Sequence, residues 1–227
     1  MTATASRDTM RCFFEPQTVA VIGASRTRGK AGYQQILNLH DFQGTLVPIN
    51  PGGGEIDGLT CVRHVNEVQN TVDLAIVLLP AAKCVEAVRD CVQRGIPAVL
   101  LPSAGFAEAG DEGQHLQREL VEAIAGSHTR LIGPNCNGIV NAANKLLASF
   151  VALDPVTPGP ISIISQTGIF AAALLNQINR FPGMGIAKVA TLGNACDIAA
   201  EDVLEYFEDD DQTGVVALYL EGIKDGL

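Results

Sequence analysis

Positive charge is scarce in this sequence, paired cysteines and long apolar runs are missing, and each shortage removes a class of function. Fifteen lysines and arginines face twenty-five acidic side chains, a formal charge of −10. That balance opposes nonspecific binding to nucleic acid or to an anionic membrane surface, so a phosphate-bearing ligand must be held by local devices. No apolar run is long enough to cross a bilayer, and the opening Met1-Thr-Ala-Thr-Ala-Ser-Arg lacks the apolar stretch of a secretory signal. A cytoplasmic location with no membrane partner is expected. Cys12, Cys61, Cys84, Cys91, Cys136 and Cys196 form no CxxC pair and no His/Cys zinc spacing, so reduced thiols and no metal site are expected. Only Cys136, set among Gly, Pro and Asn, stands where a functional site is plausible.

Internal repeats of short period and low-complexity tracts are also missing. With 227 residues, 47% of them hydrophobic, the chain can bury a sizeable core. Short runs rich in Val, Ile and Leu alternate with longer amphipathic stretches, the pattern of parallel strands covered by helices. Strands are expected at 18–22, 45–49, 74–79, 98–101 and 131–132, with helices near 31–40, 82–94 and 113–125. Between Asn141 and Pro160 the periodicity fades and Asp154-Pro, Thr157-Pro and Gly159-Pro cluster, which marks a boundary. A second α/β unit follows, with strands at 161–164, 188–191 and 215–220 and helices near 169–179 and 201–207. The expected organisation is a Rossmann-like domain over 10–143, a linker over 144–160 and a partial flavodoxin-like α/β domain over 161–227.

Open parallel sheets bind ligands beyond the carboxyl ends of their strands. The first strand ends in Gly23-Ala-Ser-Arg-Thr-Arg-Gly29-Lys30 and leads into a helix. Glycines there let backbone amides approach a phosphate, the helix N-terminus adds its dipole, and Arg26, Arg28 and Lys30 add charge; an ordinary βα turn with solvated basic residues is the plainer alternative. A dinucleotide site fits less well, because the glycine spacing is not GxGxxG and the second strand ends in Asn50-Pro51-Gly52 rather than an acid for ribose hydroxyls. Later strand ends supply Ser103-Ala-Gly-Phe106 and Gly133-Pro-Asn-Cys-Asn-Gly138, small residues suited to a groove for a long ligand. Ser165-Gln-Thr-Gly168 opens an apolar helix and is an anion site or a simple N-cap.

Taken in order, Val19-Ala-Val-Ile-Gly-Ala-Ser25, Ile49-Asn-Pro51, Ser103-Ala-Gly-Phe106, Ile132-Gly-Pro-Asn-Cys136, Ile164-Ser-Gln-Thr-Gly168 and Leu192-Gly-Asn194 resemble the NDP-forming acyl-CoA synthetases. These include ADP-forming acetyl-CoA synthetases and, more distantly, the α subunit of succinyl-CoA synthetase. The resemblance implies a Rossmann-like CoA-binding domain followed by a succinyl-CoA synthetase-like one. It implies that Gly23, Ser25, Arg26, Thr27 and Arg28 hold CoA phosphates, and that Asn50 and Pro51 flank the nucleotide end. Ser103, Ala104 and Gly105 would line the course of CoA, with Asn135 and Cys136 near its thiol. Ser165, Gln166, Thr167 and Gly168 would face the transferring phosphoryl group, and Glu221 would pair with a phosphorylated histidine. Family members often carry Lys after the Asn-Pro pair; Gly52-Gly53-Gly54 stands here, and the phosphate contact expected there loses its cation.

The family histidine lies in a loop of His-Thr-Gly or His-Ala-Gly type. His40, His64, His115 and His128 are not in such a loop. The resemblance therefore implies an ADP-forming acid–CoA ligase subunit or fragment that is inactive alone. An ATP-grasp domain or subunit would carry ATP/ADP and Mg²⁺; a small carboxylic acid is the expected co-substrate, and an oligomeric assembly is expected. The competing readings are a noncatalytic CoA-binding module, favoured by the missing histidine, and an NAD-dependent oxidoreductase, disfavoured by Asn50.

Overall fold

A computed structural model describes residues 7–178, 181 and 184–222. The first sheet is parallel throughout, with spatial order β2-β1-β5-β6-β7. Its strands are β1 (Thr18–Ile22), β2 (Thr45–Ile49), β5 (Leu74–Val77), β6 (Ala98–Leu100) and β7 (Arg130–Ile132). Between β2 and β5 lies a small hairpin, β3 (Glu55–Ile56) and β4 (Leu59–Thr60). The chain leaves β1 for β2 on one side and returns to β5 on the other, so the strand order switches direction between β1 and β5. Helices α2 (Ala31–Asn38), α3 (Ala81–Gln93) and α4 (Asp111–Ile124) connect these strands, close to the ranges the periodicity predicts.

The second sheet is mixed, in the order β12-β10-β11-β8-β9. Strands β10 (Pro158–Ser165), β11 (Ile186–Thr191) and β12 (Val215–Tyr219) are parallel, with α5 (Gly168–Ile178) and α6 (Ala200–Glu208) between them. Here too the order switches, between β10 and β12. Strands β8 (Gly138–Asn141) and β9 (Leu146–Ser149) form an antiparallel hairpin that joins this sheet through β11. The segment expected as a linker, 144–160, therefore contains β9 and the first residues of β10. The hairpin escapes periodicity because its strands have four residues each and are buried on both faces, which leaves no alternation to detect. Asn179, the last residue of a predicted helix, lies outside the described residues.

Helix α1 (Arg7–Phe14) precedes the first strand and carries Met10, Phe13 and Phe14 on one face, all fully buried. The Phe14 ring stacks on Tyr206 of α6 at 5.2 Å and tilts against Phe207 at 5.4 Å. The Phe14 carbonyl accepts from Asn141 Nδ2 at 2.9 Å and Asn144 Nδ2 at 3.0 Å in the hairpin. One continuous apolar cluster consequently includes Val19 and Ile76 of the first sheet, Ile164 and Ala190 of the second, and α1, α2 and α6. Helices α3 and α4 cover the outer face of the first sheet, and Leu175 and Ile178 of α5 pack on the second.

The two sheets are also joined edge to loop. After β11 the chain runs along β7: Asn194, Cys196 and Ile198 donate their N–H groups to the carbonyls of Pro134, Gly133 and Leu131 at 2.9, 3.0 and 3.1 Å. Asp197, between two of these residues, accepts from the Leu131 amide at 2.8 Å and from Arg130 Nε at 2.9 Å. Both side chains of this ion pair are largely removed from water, 15% and 5% exposed. Removing one partner of such a pair leaves a buried charge and an unmet amide, so Asp197→Ala is expected to lower unfolding free energy by about 3 kcal/mol. A denaturant midpoint within error of the unaltered protein would contradict that assignment.

Candidate functional site

The carboxyl ends of the parallel strands of both sheets open onto one cavity of about 710 Å³. The first sheet contributes Leu78–Pro80 after β5, Pro102–Ala104 after β6 and Asn135–Asn137 after β7. The second contributes Gln166–Gly168 after β10, Gly193 and Asn194 after β11, and Glu221 after β12. Ala31 at the start of α2, Glu108 and Phe150 complete the wall. Eight residues singled out from sequence thus meet in one space: Ser103, Ala104, Asn135, Cys136, Gln166, Thr167, Gly168 and Glu221.

Gly23, Ser25, Arg26, Thr27, Arg28, Asn50 and Pro51 are not among the residues of the cavity wall. Gly23 sits at the switch point with φ +92°, and a β-carbon there would lie 2.3 Å from the Leu78 carbonyl oxygen. Only glycine lets the turn after β1 lie this close to the end of β5. Gly32, in the first turn of α2, has the same constraint against the Gly23 carbonyl oxygen at 2.0 Å. Ser25 Oγ accepts from the Thr27 amide at 3.1 Å. Asn50 ties β2 to this turn, donating from Nδ2 to the Ala24 carbonyl at 2.8 Å and accepting from the Gly52 amide at 2.8 Å.

On the second sheet the switch-point residues are bonded to each other. Gln166 Oε1 accepts from the amides of Glu221 and, at 3.0 Å, Gly222, while its Nε2 donates to the Gly222 carbonyl at 3.0 Å. The Gln166 side chain is thereby spent on holding the Glu221 backbone at the cavity wall. Ser165 is fully buried and its hydroxyl donates to the Thr167 carbonyl at 2.6 Å, shaping the turn before α5. Of that expected loop, Thr167 and Gly168 present themselves most directly at the helix N-terminus.

Cys136 lines the cavity, yet complete burial pushes its thiol up to about 12, so it is a neutral thiol at physiological pH. None of the four histidines is on the cavity wall. His40, His64 and His115 instead lie beside Asp57, Asp90 and Glu119, and His128 is exposed.

Two wall residues, Glu108 and Asn194, are missed as site residues by the sequence reading. Glu108 Oε1 accepts from the amides of Gly105 at 2.6 Å and Phe106 at 3.1 Å, and Oε2 accepts from Asn194 Nδ2 at 2.5 Å. Asn194 also donates to Gln117 Oε1 at 2.9 Å and accepts from Asn135 Nδ2 at 3.3 Å. This network joins the loop after β6, the loop after β7 and helix α4 to the second sheet. The available signal is an acid three residues beyond Gly105, placed to cap a loop whose amides have no strand partner.

The family described as CoA binding domain matches residues 17–142, and the Succinyl-CoA ligase like flavodoxin domain matches 158–227. The chain belongs to the CoA-binding domain family, in the form found in ADP-forming acyl-CoA synthetases. It is 41% identical over 217 residues to Acetate–CoA ligase [ADP-forming] I of Archaeoglobus fulgidus, covering 96% of this chain and 31% of that one. Against the α subunit of Acetate–CoA ligase [ADP-forming] I of Pyrococcus furiosus identity is 37%, with 96% and 48% covered. The solved dinucleotide-forming acetyl-coenzyme A synthetase 1 of Ca. Korarchaeum cryptofilum, in complex with phosphate and ADP, superposes with a TM-score of 0.90 at 34% identity, over 97% of this chain and 47% of that one. The chain spans between about a third and half the length of these family members.

Partial burial pushes the Glu108 carboxyl upward, but the hydrogen bonds from Asn194 and from the Gly105 and Phe106 amides outweigh it and hold the group below its usual value. A depressed folded-state value means that the contribution is present above the ordinary carboxylate range and is lost as pH falls through the folded value. Glu108→Gln is therefore expected to cost about 1 kcal/mol at pH 7, with the gap to the unaltered protein closing in acid. Urea melts at pH 7 and pH 3 measure it, and an equal gap at both would reject the carboxylate as its source.

Proposed function

We propose that this chain is the CoA-binding part of an ADP-forming acid–CoA ligase. The observation that carries the proposal is the single cavity fed by strand ends of both sheets, with a cationic turn beside one sheet and a helix N-terminus plus a carboxylate from the other. In this reading the turn from Gly23 to Lys30 and the start of α2 hold CoA phosphates, through backbone amides, the helix dipole and Arg26 and Arg28. The pantetheine arm runs past Ser103, Ala104 and Gly105, and the thiol ends near Asn135 and Cys136. The neutral Cys136 does not compete as a nucleophile for the acyl group.

The chemistry proposed is reversible. Phosphate attacks the thioester carbonyl, the carbon–sulfur bond breaks, and acyl phosphate and CoA result. The acyl phosphate passes its phosphoryl group to a histidine, releasing the acid, and the histidine passes it to ADP. Read in reverse, acid, CoA and ATP give acyl-CoA, ADP and phosphate. Transfers of this kind depend on positioning and on donors already aimed at migrating charge. Thr167 and Gly168 at the start of α5 fit that task, and Glu221 fits the task of orienting the imidazole and stabilising its cationic form. The histidine is assigned to a segment outside this chain, and the nucleotide and Mg²⁺ to an ATP-grasp domain or subunit. A purely CoA-binding module is the other reading, but it has no need for Gln166 to fix Glu221 at the cavity wall.

Charge reversal Arg26→Glu is expected to weaken CoA binding by at least about tenfold, because charge-assisted hydrogen bonds to phosphate become repulsion. Calorimetry with the unaltered chain as reference reads this directly, and unchanged affinity rejects the placement. In the enzyme assembled with its nucleotide-binding partner and histidine segment, Glu221→Gln should slow phosphohistidine formation while CoA affinity stays nearly constant. Loss of CoA binding with phosphorylation spared would invert the proposed division of labour.

A further inference from the structure

The end of β2 carries three consecutive glycines where a cation would be expected, and two arginines from elsewhere fill the space above them. A β-carbon on Gly54 would lie 2.9 Å from a terminal nitrogen of Arg26, and one on Gly52 would lie 3.3 Å from the other. A β-carbon on Gly53 would lie 3.6 Å from the guanidinium carbon of Arg63, whose Nη1 donates to the Pro51 carbonyl at 3.3 Å. The glycines therefore clear room for two guanidinium groups that reach the same turn, one from the loop after β1 and one from the segment after β4.

Among the described residues no carboxylate lies within 4.0 Å of either group. Arg28, Lys30, Lys83, Arg94, Arg118 and Lys145 likewise have no acid within that distance, so what sets Arg26 and Arg63 apart is that both reach one turn. In a chain of charge −10 the neighbouring Arg26 and Arg63 stay without an acid, and their mutual repulsion is relieved by an anion of more than one charge. A phosphomonoester, with oxygens for two forked donors, fits that requirement.

We infer that Arg63, with Arg26, forms a clasp for a phosphomonoester on the ribose of the bound nucleotide, and so makes the chain selective for CoA over its 3′-dephospho form. The inference rests on the CoA reading above. Its geometry follows from the sheet: when the turn after β1 holds a pyrophosphate, the ribose falls at the end of β2, where an arginine meets a ribose phosphate and an acid meets free hydroxyls. The same chemistry would take a ribose 2′-phosphate, as in NADPH, and that source is separable by experiment.

The test is calorimetric titration of the whole chain and of Arg63→Ala with CoA, 3′-dephospho-CoA and NADPH. Expected is CoA binding at least about tenfold tighter than dephospho-CoA, with Arg63→Ala removing that margin and leaving dephospho-CoA affinity unchanged. Retained dephospho-CoA binding also shows that the variant is folded. Equal binding of CoA and dephospho-CoA by the unaltered chain, or an equal loss for both in the variant, overturns the clasp and leaves the CoA reading standing. NADPH binding tighter than CoA, or no CoA binding at all, overturns both.

Discussion

The row of hydrogen bonds from Asn194, Cys196 and Ile198 to the carbonyls of Leu131 in β7 and of Gly133 and Pro134 just after it is the constraint on which the rest of the molecule depends. A five-stranded parallel sheet ending at β7 would expose an unpaired backbone edge. The loop after β11 closes that edge, so the second sheet's strand ends are fixed relative to those of the first. Gly193 marks how close the approach is: a β-carbon there would lie 2.2 Å from the Pro134 carbonyl oxygen and 2.3 Å from that of Asn135. Its φ of +56° is also one that a side chain disfavours. The Glu108–Asn194–Asn135 network continues the same seam to the cavity wall.

The opposite side of the seam is held by packing. Phe14 and its neighbours on α1 enter a cluster shared by both sheets, while the α1 carbonyl end is bonded to the β8–β9 hairpin. Asn38 of α2 reaches the same hairpin, donating to the carbonyls of Ser149 and Val151 at 2.6 and 2.7 Å. Buried phenylalanines in such clusters contribute several kcal/mol each on truncation, roughly 3 to 5. The two matched regions thus share one apolar cluster, while each also keeps a cluster largely its own.

Much of this was legible in the residues. All five strands of the first sheet, and the three parallel strands of the second, are short Val/Ile/Leu runs bounded by turn residues, and their observed limits differ by a few residues at most. The family resemblance rests on motifs at successive strand ends, and those after β6, β7, β10 and β11 line the cavity, whereas those after β1 and β2 do not. What escaped were features defined by distant partners. Helix α1 has only eight residues, and its amphipathicity gains meaning only from α6, about 190 positions later. The hairpin has no polar face to betray its strands. Asn194 was visible as part of a motif, but its bonds to Glu108, Gln117 and Asn135 are tertiary, and no local pattern encodes them.

Two carboxylates reach the cavity wall, and their surroundings distinguish them. Glu108 is saturated by backbone amides and by Asn194, which holds its proton off and fixes a loop; it has little capacity left for a ligand. Glu221 is placed through its backbone instead, by Gln166 across the β10/β12 switch point, and among the described residues no cation pairs with its carboxylate. A side-chain amide fixes the main chain at Glu221, and the carboxylate takes no part in that bonding. Arg26 and Arg63 reach one turn beside the first sheet, and among the described residues neither has an acid within 4.0 Å. A ligand that bridges the two sheets would therefore meet fixed positive charge at one end and an uncommitted carboxylate at the other, which sets its direction before any chemistry begins.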